Sequence, residues 1–203
     1  MDSQAESLPD GNGSAGPDGW LNRNVVGMGL TSLLSDAGHE MATAVLASFL
    51  GIIGAPVYAL GIIEGVSDAL SSFVKLGAGW WSDRFGRRGL LLVGYVLGAA
   101  VMAGFIVAFL TGTGSILWLG VLFSLAGVYI AVEDSLEGAM TADLVPEEAS
   151  RGTAYGVMGT VNGIGDFLSS AVVGLLWSFN PVAGFAYAAV AMLLGAVLLD
   201  RVR

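Results

Sequence analysis

The stretch Ser32 to Met41, SLLSDAGHEM, holds Asp36, Glu40 and the chain's single histidine, His39. At spacings i, i+3 and i+4 these three share one face of a helix. Two carboxylates and an imidazole on one face can exchange protons or hold a cation. Similar groups recur downstream. Glu64 with Asp68, and Glu133 with Glu137, are i, i+4 pairs; Asp134 adjoins Glu133, and Asp166 follows later. All eight acids lie in apolar surroundings and face one lysine, Lys75, and that one histidine. An ionised carboxylate at mid-membrane costs on the order of 2.5–3.5 kcal/mol. Ion pairing cannot neutralise the whole set, so some members must be protonated, hydrated in a cavity or bound to a cation. Such a set is suited to loading and releasing protons near neutral pH. With oxygen donors beside an imidazole, Asp36, His39 and Glu40 also form a possible ligand set for Mn²⁺, Fe²⁺ or a similar ion. Cysteine is absent, which excludes soft thiolate coordination and a disulfide framework.

These residues need elements to position them, and the composition says which. Of 203 residues, 55% are hydrophobic and 12% charged, with a mean hydropathy of +0.75. Soluble domains rarely look like this, so the expected protein is integral to a membrane. Eight Lys and Arg residues make no basic stripe for nucleic acid. Residues 1–19 form an acidic tail rich in Gly, Ser and Pro that lacks the apolar surface to fold and is expected to be disordered. Residues 20–203 form the membrane domain. A bilayer core takes about 20 apolar residues per helix. Six stretches qualify: Asn24–Gly51, Val57–Trp81, Gly89–Leu110, Ser115–Met140, Gly152–Trp177 and Val182–Leu199. Spans one, two, four and five carry the acids, and spans three and six carry none. A polar interior is therefore expected from the first four, with lipid against three and six. Counting along the helices puts Asp36, Glu40, Asp68 and Asp166 near mid-bilayer and Glu133–Glu137 nearer the cytoplasm.

Cations mark cytoplasmic loops. Arg23, Arg84, Arg87, Arg88, Arg151, Arg201 and Arg203 all fall on one side of a six-span chain. The opposite loops, GIIGAP, TGTG and SFNP, are uncharged. The expectation is a multi-pass protein of the cytoplasmic (inner) membrane with both termini in the cytoplasm. All five tryptophans fall at span ends, where amphipathic rings are most stable. The pairs Gly94/Gly98, Gly152/Gly156 and Gly159/Gly163 are each four apart, a spacing that lets helices approach closely. They read as ordinary bundle packing or as a self-association face.

The loop after span two is GWWSDRFGRR, Gly79 to Arg88. Its glycines permit a tight turn, and Asp83 can cap a helix or pair with arginine. Gly79, Asp83, Arg84, Gly86, Arg87 and Arg88 resemble the signature loop between the second and third helices of major facilitator superfamily transporters. DLVPEEASRGTAYGV, Asp143 to Val157, resembles that family's loop between helices four and five. The resemblance implies an all-α membrane fold in which six helices form one half, a 3+3 repeat. In it the first and fourth helices line a cavity, the second and fifth flank it, and the third and sixth face lipid. The loop is implied to latch the cytoplasmic side. Since the family sets substrate between two such halves, a twelve-helix homodimer is expected, or a heteromer with another half. The latch would then join Asp83 and its arginines to Arg151, Asp143 or Glu147 of the partner.

The function expected is proton-coupled secondary transport, an antiporter working by alternating access. Its substrate would be a small cation such as an organic cation or drug, with a divalent metal ion as the alternative. The candidate substrate and proton residues are Asp36, His39, Glu40, Glu64, Asp68, Glu133, Asp134, Glu137 and Asp166. No phosphate-binding G-x-x-x-x-G-K-[ST] loop occurs, and no cofactor is expected. GIGD, Gly163 to Asp166, matches a fragment of membrane aspartyl proteases, whose chemistry needs two aspartates sharing a proton. The Tyr-Asp and Pro-Ala-Leu elements of those enzymes are missing, so an enzyme is not expected. A non-transporting membrane subunit or sensor is the remaining class.

Overall fold

A computed structural model describes residues 21–202 apart from 22, 53, 55, 114, 146 and 147; within that range the side chains of 40–43, 46, 47, 57, 85 and 148–150 lie outside the description. The tail expected to be disordered also lies outside it. Six helices follow in order: α1 Arg23–Ile52, α2 Val57–Phe85, α3 Arg87–Thr111, α4 Ile116–Leu144, α5 Glu148–Phe179 and α6 Pro181–Leu199. There is no strand among the described residues. The breaks have local causes. Gly86, at φ +90°, ends α2 and starts α3 in a region that side chains rarely adopt. Asn180 caps α6 by accepting from the Val182 amide at 2.9 Å, and Pro181 supplies its first turn.

The helices overrun the apolar stretches by about a turn at the arginine-bearing end, as α2, α4 and α5 show. Hydropathy marks the part suited to lipid, whereas the hydrogen-bonded helix continues into water. Among the described residues, four helices are long and apolar enough to cross a membrane: α3, α4, α5 (from Arg151) and α6. All six expected stretches are helices, and α1 and α2 fall short of that measure of length and apolarity. Acids and small polar residues dilute α1 and α2.

Packing follows an internal symmetry. α2 lies along α4, and α5 lies along α1. α3 packs on α4 and α6 on α1, while α3 and α6 meet each other. Exchanging α1–α3 for α4–α6 maps the first four pairs onto one another and the α3–α6 pair onto itself, so the chain is two interlocked triplets. α3 and α6, expected at lipid, bury one face in this middle. Each keeps an apolar outer face, with Val93, Val96 and Val107 on α3 and Val190, Leu193 and Val197 on α6.

Away from the arginines an aromatic cluster ties the triplets together. Phe105 stacks on Phe185 at 5.4 Å, and Phe49 meets both edge-on. Trp177 joins this cluster, 5.7 Å from Phe185, rather than facing an interface alone. Each such pair contributes about 0.5–1.5 kcal/mol. The glycine pairs divide. A Cβ on Gly98 would come 2.7 Å from the Met192 sulfur, so Gly94/Gly98 serve packing within the bundle. The four on α5, Gly152, Gly156, Gly159 and Gly163, face open space. α2 and α5 are the most exposed helices, showing Phe73, Leu76, Phe167 and Phe179.

Candidate functional site

Between the triplets, α1 and α4 run antiparallel and bring their acids level. Asp36 and His39 of α1 and Glu133 of α4 offer ligand atoms that all lie within 4.8 Å of one another. Glu133 is only 2% exposed. Neither of its carboxylate oxygens accepts a hydrogen bond of normal geometry from a described residue; the Ser35 hydroxyl stands close enough to interact with the carboxylate but is not in bonding geometry. The Tyr129 ring stands edge-on to His39 at 6.3 Å and walls the cluster.

One turn nearer the arginine end lies a second layer. Glu137 is buried, and its two oxygens accept from the Ser32 hydroxyl and the Tyr95 hydroxyl. The Asn162 amide in turn donates to Ser32 at 2.9 Å. The layer therefore joins α5, α1, α4 and α3 through one carboxylate. No lysine or arginine pairs with Glu133 or Glu137 among the described residues. The two layers differ in kind: Glu137 is held by neutral donors, and Glu133 is held by none.

The remaining candidate residues fall elsewhere. Glu64 and Asp68 lie on the exposed side of α2, outside the cluster. Asp134 faces outward and pairs with Lys75 at 2.8 Å, both about half exposed, which ties α2 to α4. Asp166 is half-buried on α5 and is not a member of the cluster. Gly165 of GIGD sits against Leu33, where a Cβ would come within 3.2 Å, so close helix contact accounts for that glycine. The side chain of Glu40 lies outside the described residues, so the ligand set expected on α1 alone is seen only as Asp36 and His39. Glu133, placed by counting nearer the cytoplasm than Asp36, sits at the same level. The antiparallel register and the full length of α4 produce that match.

Ser32, Ser35, Tyr95, Tyr129 and Asn162 were missed by the sequence reading. A signal for them exists. Ser32 is one turn before Asp36 on α1, Tyr129 is one turn before Glu133 on α4, and Tyr95 and Asn162 are hydrogen-bonding residues inside otherwise apolar or glycine-rich spans.

The signature loop forms a cluster of its own. Arg87 donates to Asp143 at 2.7 Å, to the Ala139 carbonyl at 2.8 Å and to Asp83 at 3.3 Å. Arg88 bonds the carboxylate of Asp200 at 2.7 Å and also its carbonyl. Arg84 lies 4.0 Å over the Trp80 ring. Arg151 donates to the Val145 carbonyl at 3.1 Å. Gly79 lies half-buried in the last turns of α2. The partner expected for Asp143 is thus found within the same chain, because the α2–α3 turn and the end of α4 share one end of one triplet pair. Glu147 lies outside the described residues. A cavity of about 470 Å³ lies beside this cluster, lined by Ser82, Arg87, Met140 and Asp143 among others.

The sequence profile of the Major Facilitator Superfamily matches residues 26–202. A relative described as an uncharacterized MFS-type transporter, from Methanocaldococcus jannaschii, is 32% identical over 118 residues. That match covers 58% of this chain and 28% of the relative, so the chain spans well under half of that protein's length.

Proposed function

Because this chain belongs to the Major Facilitator Superfamily, we propose that it is a proton-coupled transporter of a small cation, working by alternating access. The observation that carries this reading is the buried acid layer between α1 and α4, in which Glu133 and Glu137 pair with no lysine or arginine among the described residues. Two carboxylates kept in an apolar bundle destabilise it unless a proton or a cation neutralises them. Exchange of one for the other is the work of an antiporter. Asp36, His39 and Glu133 take the cation, and Glu137, oriented by Ser32 and Tyr95, takes the proton. Glu64, Asp68, Asp134 and Asp166 belong to the path or to the facing surface rather than to this centre. Both α1 and α2 cross the bilayer, and both termini face the cytoplasm of the inner membrane, with the arginine cluster at that side.

The exposed faces of α2 and α5, with the open glycines of α5, meet a second half. A second copy of this chain supplies it, making twelve helices that rock about the acid layer. The arginine cluster closes the cytoplasmic side in one state.

The experiment is proton flux in proteoliposomes of the full chain, read by a trapped pH dye as cations are added. Flux that Glu133→Gln abolishes is the expected result. No flux with any organic or metal cation, from protein shown to be helical and inserted, refutes the transport reading and favours a non-transporting subunit.

A further inference from the structure

We infer that Asp36, His39 and Glu133 form a site for one first-row divalent metal ion. The inference deepens the transport reading and rests on it only in making that ion the cargo. The geometry is the first ground. The three ligand atoms come from two helices and lie within 4.8 Å of one another. Ligands 2.0–2.2 Å from one ion sit at most about 4.4 Å apart, so small side-chain rotations complete the set. The second ground is Glu133 itself. It is 2% exposed, and both its oxygens lack a hydrogen bond from any described residue. A buried carboxylate in that condition is strongly unfavourable unless something binds it.

Charge and donor type then narrow the ligand. Two carboxylates with a neutral imidazole carry two negative charges, which one dication balances. Mg²⁺ and Ca²⁺ take oxygen ligands, whereas an imidazole nitrogen beside two carboxylates suits Mn²⁺, Fe²⁺, Co²⁺ or Zn²⁺. Size points the same way. A drug-sized ligand needs a pocket of about 300–1,000 Å³, and side chains drawn together around a 2% exposed carboxylate leave room for an ion. The ion would bridge α1 and α4, one helix from each triplet.

The test uses the full chain in lipid nanodiscs, stripped with chelator and titrated with Mn²⁺ under electron paramagnetic resonance. One Mn²⁺ per chain should bind, displaced by Co²⁺ or Zn²⁺ and resistant to Mg²⁺. Echo-detected spectra should show ¹⁴N modulation from His39. His39→Ala should remove that modulation, and His39→Ala and Glu133→Gln should each weaken binding at least about tenfold. The nitrogen signal needs no variant, so a substituted chain that fails to fold leaves the test intact. No binding at micromolar Mn²⁺, or binding without nitrogen coupling, overturns the inference. Proton flux in the same preparation separates the two readings. Flux evoked by tetraphenylphosphonium without metal binding ends the metal site and leaves transport. Metal binding without flux from any cation ends transport and leaves the site.

Discussion

At the arginine-bearing end, Asp83, Asp143 and Asp200 each meet an arginine, at 3.3, 2.7 and 2.7 Å. A turn or more inward, Glu133 and Glu137 are buried and meet none. The first group is open to solvent, with exposures of 62–80% on the acid side. Such pairs contribute about 0–1 kcal/mol each. Their value is in geometry, since Arg87 draws α2, α3 and α4 to one point. The second group sits in an apolar bundle with no lysine or arginine beside it, which costs stability unless a proton or a cation neutralises the charge, and the proposed exchange rests on that. α4 holds both kinds within five residues: Asp134 turns outward to Lys75, while Glu133 and Glu137 turn in. Residue type alone therefore does not assign a role; the face of the helix does.

The largest expected effect separates the two groups outright. Glu133→Gln should abolish cation-driven proton flux while leaving the melting temperature unchanged or raised, since it removes a buried charge without changing the size of the side chain. A scanning calorimetry trace alongside the flux assay checks both halves. Equal loss of stability would place Glu133 with the structural acids. Next comes Tyr95→Phe, which takes one donor from Glu137. A hydrogen bond to a charged group is worth about 1.5–3 kcal/mol, so a shift of the flux–pH profile is expected with the cation affinity unchanged. An unshifted profile would break the assignment of the proton to Glu137.

Gly127→Val probes the packing that holds α4 in register. A Cβ there would lie 2.4 Å from the Ser67 hydroxyl and 2.8 Å from the Ser67 carbonyl oxygen, and overpacking of this kind costs about 1–3 kcal/mol. Reduced thermal stability and reduced flux together are the expected result. Arg87→Ala comes next. It should lower stability by about 1 kcal/mol and slow transport several-fold without changing cation affinity, as a loosened end would. The smallest effect is expected from Lys75→Met. Both partners of that ion pair are about half exposed, so denaturation should move by about 1 kcal/mol or less. A loss of flux as complete as in Glu133→Gln would move Lys75 into the transport centre.

The sequence made the helices legible because hydropathy and Gly or Pro breaks are local properties. It also singled out Asp36, His39, Glu133 and Glu137, since an acid in an apolar span is costly wherever it points. It did not separate them from Glu64, Asp68 and Asp134. That distinction depends on which way each helix faces, and α4 carries acids on two faces. The level shared by Asp36 and Glu133 was hidden for a related reason. Depth counted along one helix ignores the register between two. Tyr95 and Asn162 were overlooked because neutral polar residues in a span carry little cost on their own. They gain a role only when another helix brings a carboxylate to them.

Coupling is tested most directly by measuring cation uptake and proton release together in the same proteoliposomes, for the wild-type chain and for Glu137→Gln. The wild type should release protons in a fixed ratio to cation taken up, and Glu137→Gln should bind the cation but release none. Cation uptake that proceeds in the wild type with no proton movement would contradict the exchange assigned to the layer between α1 and α4.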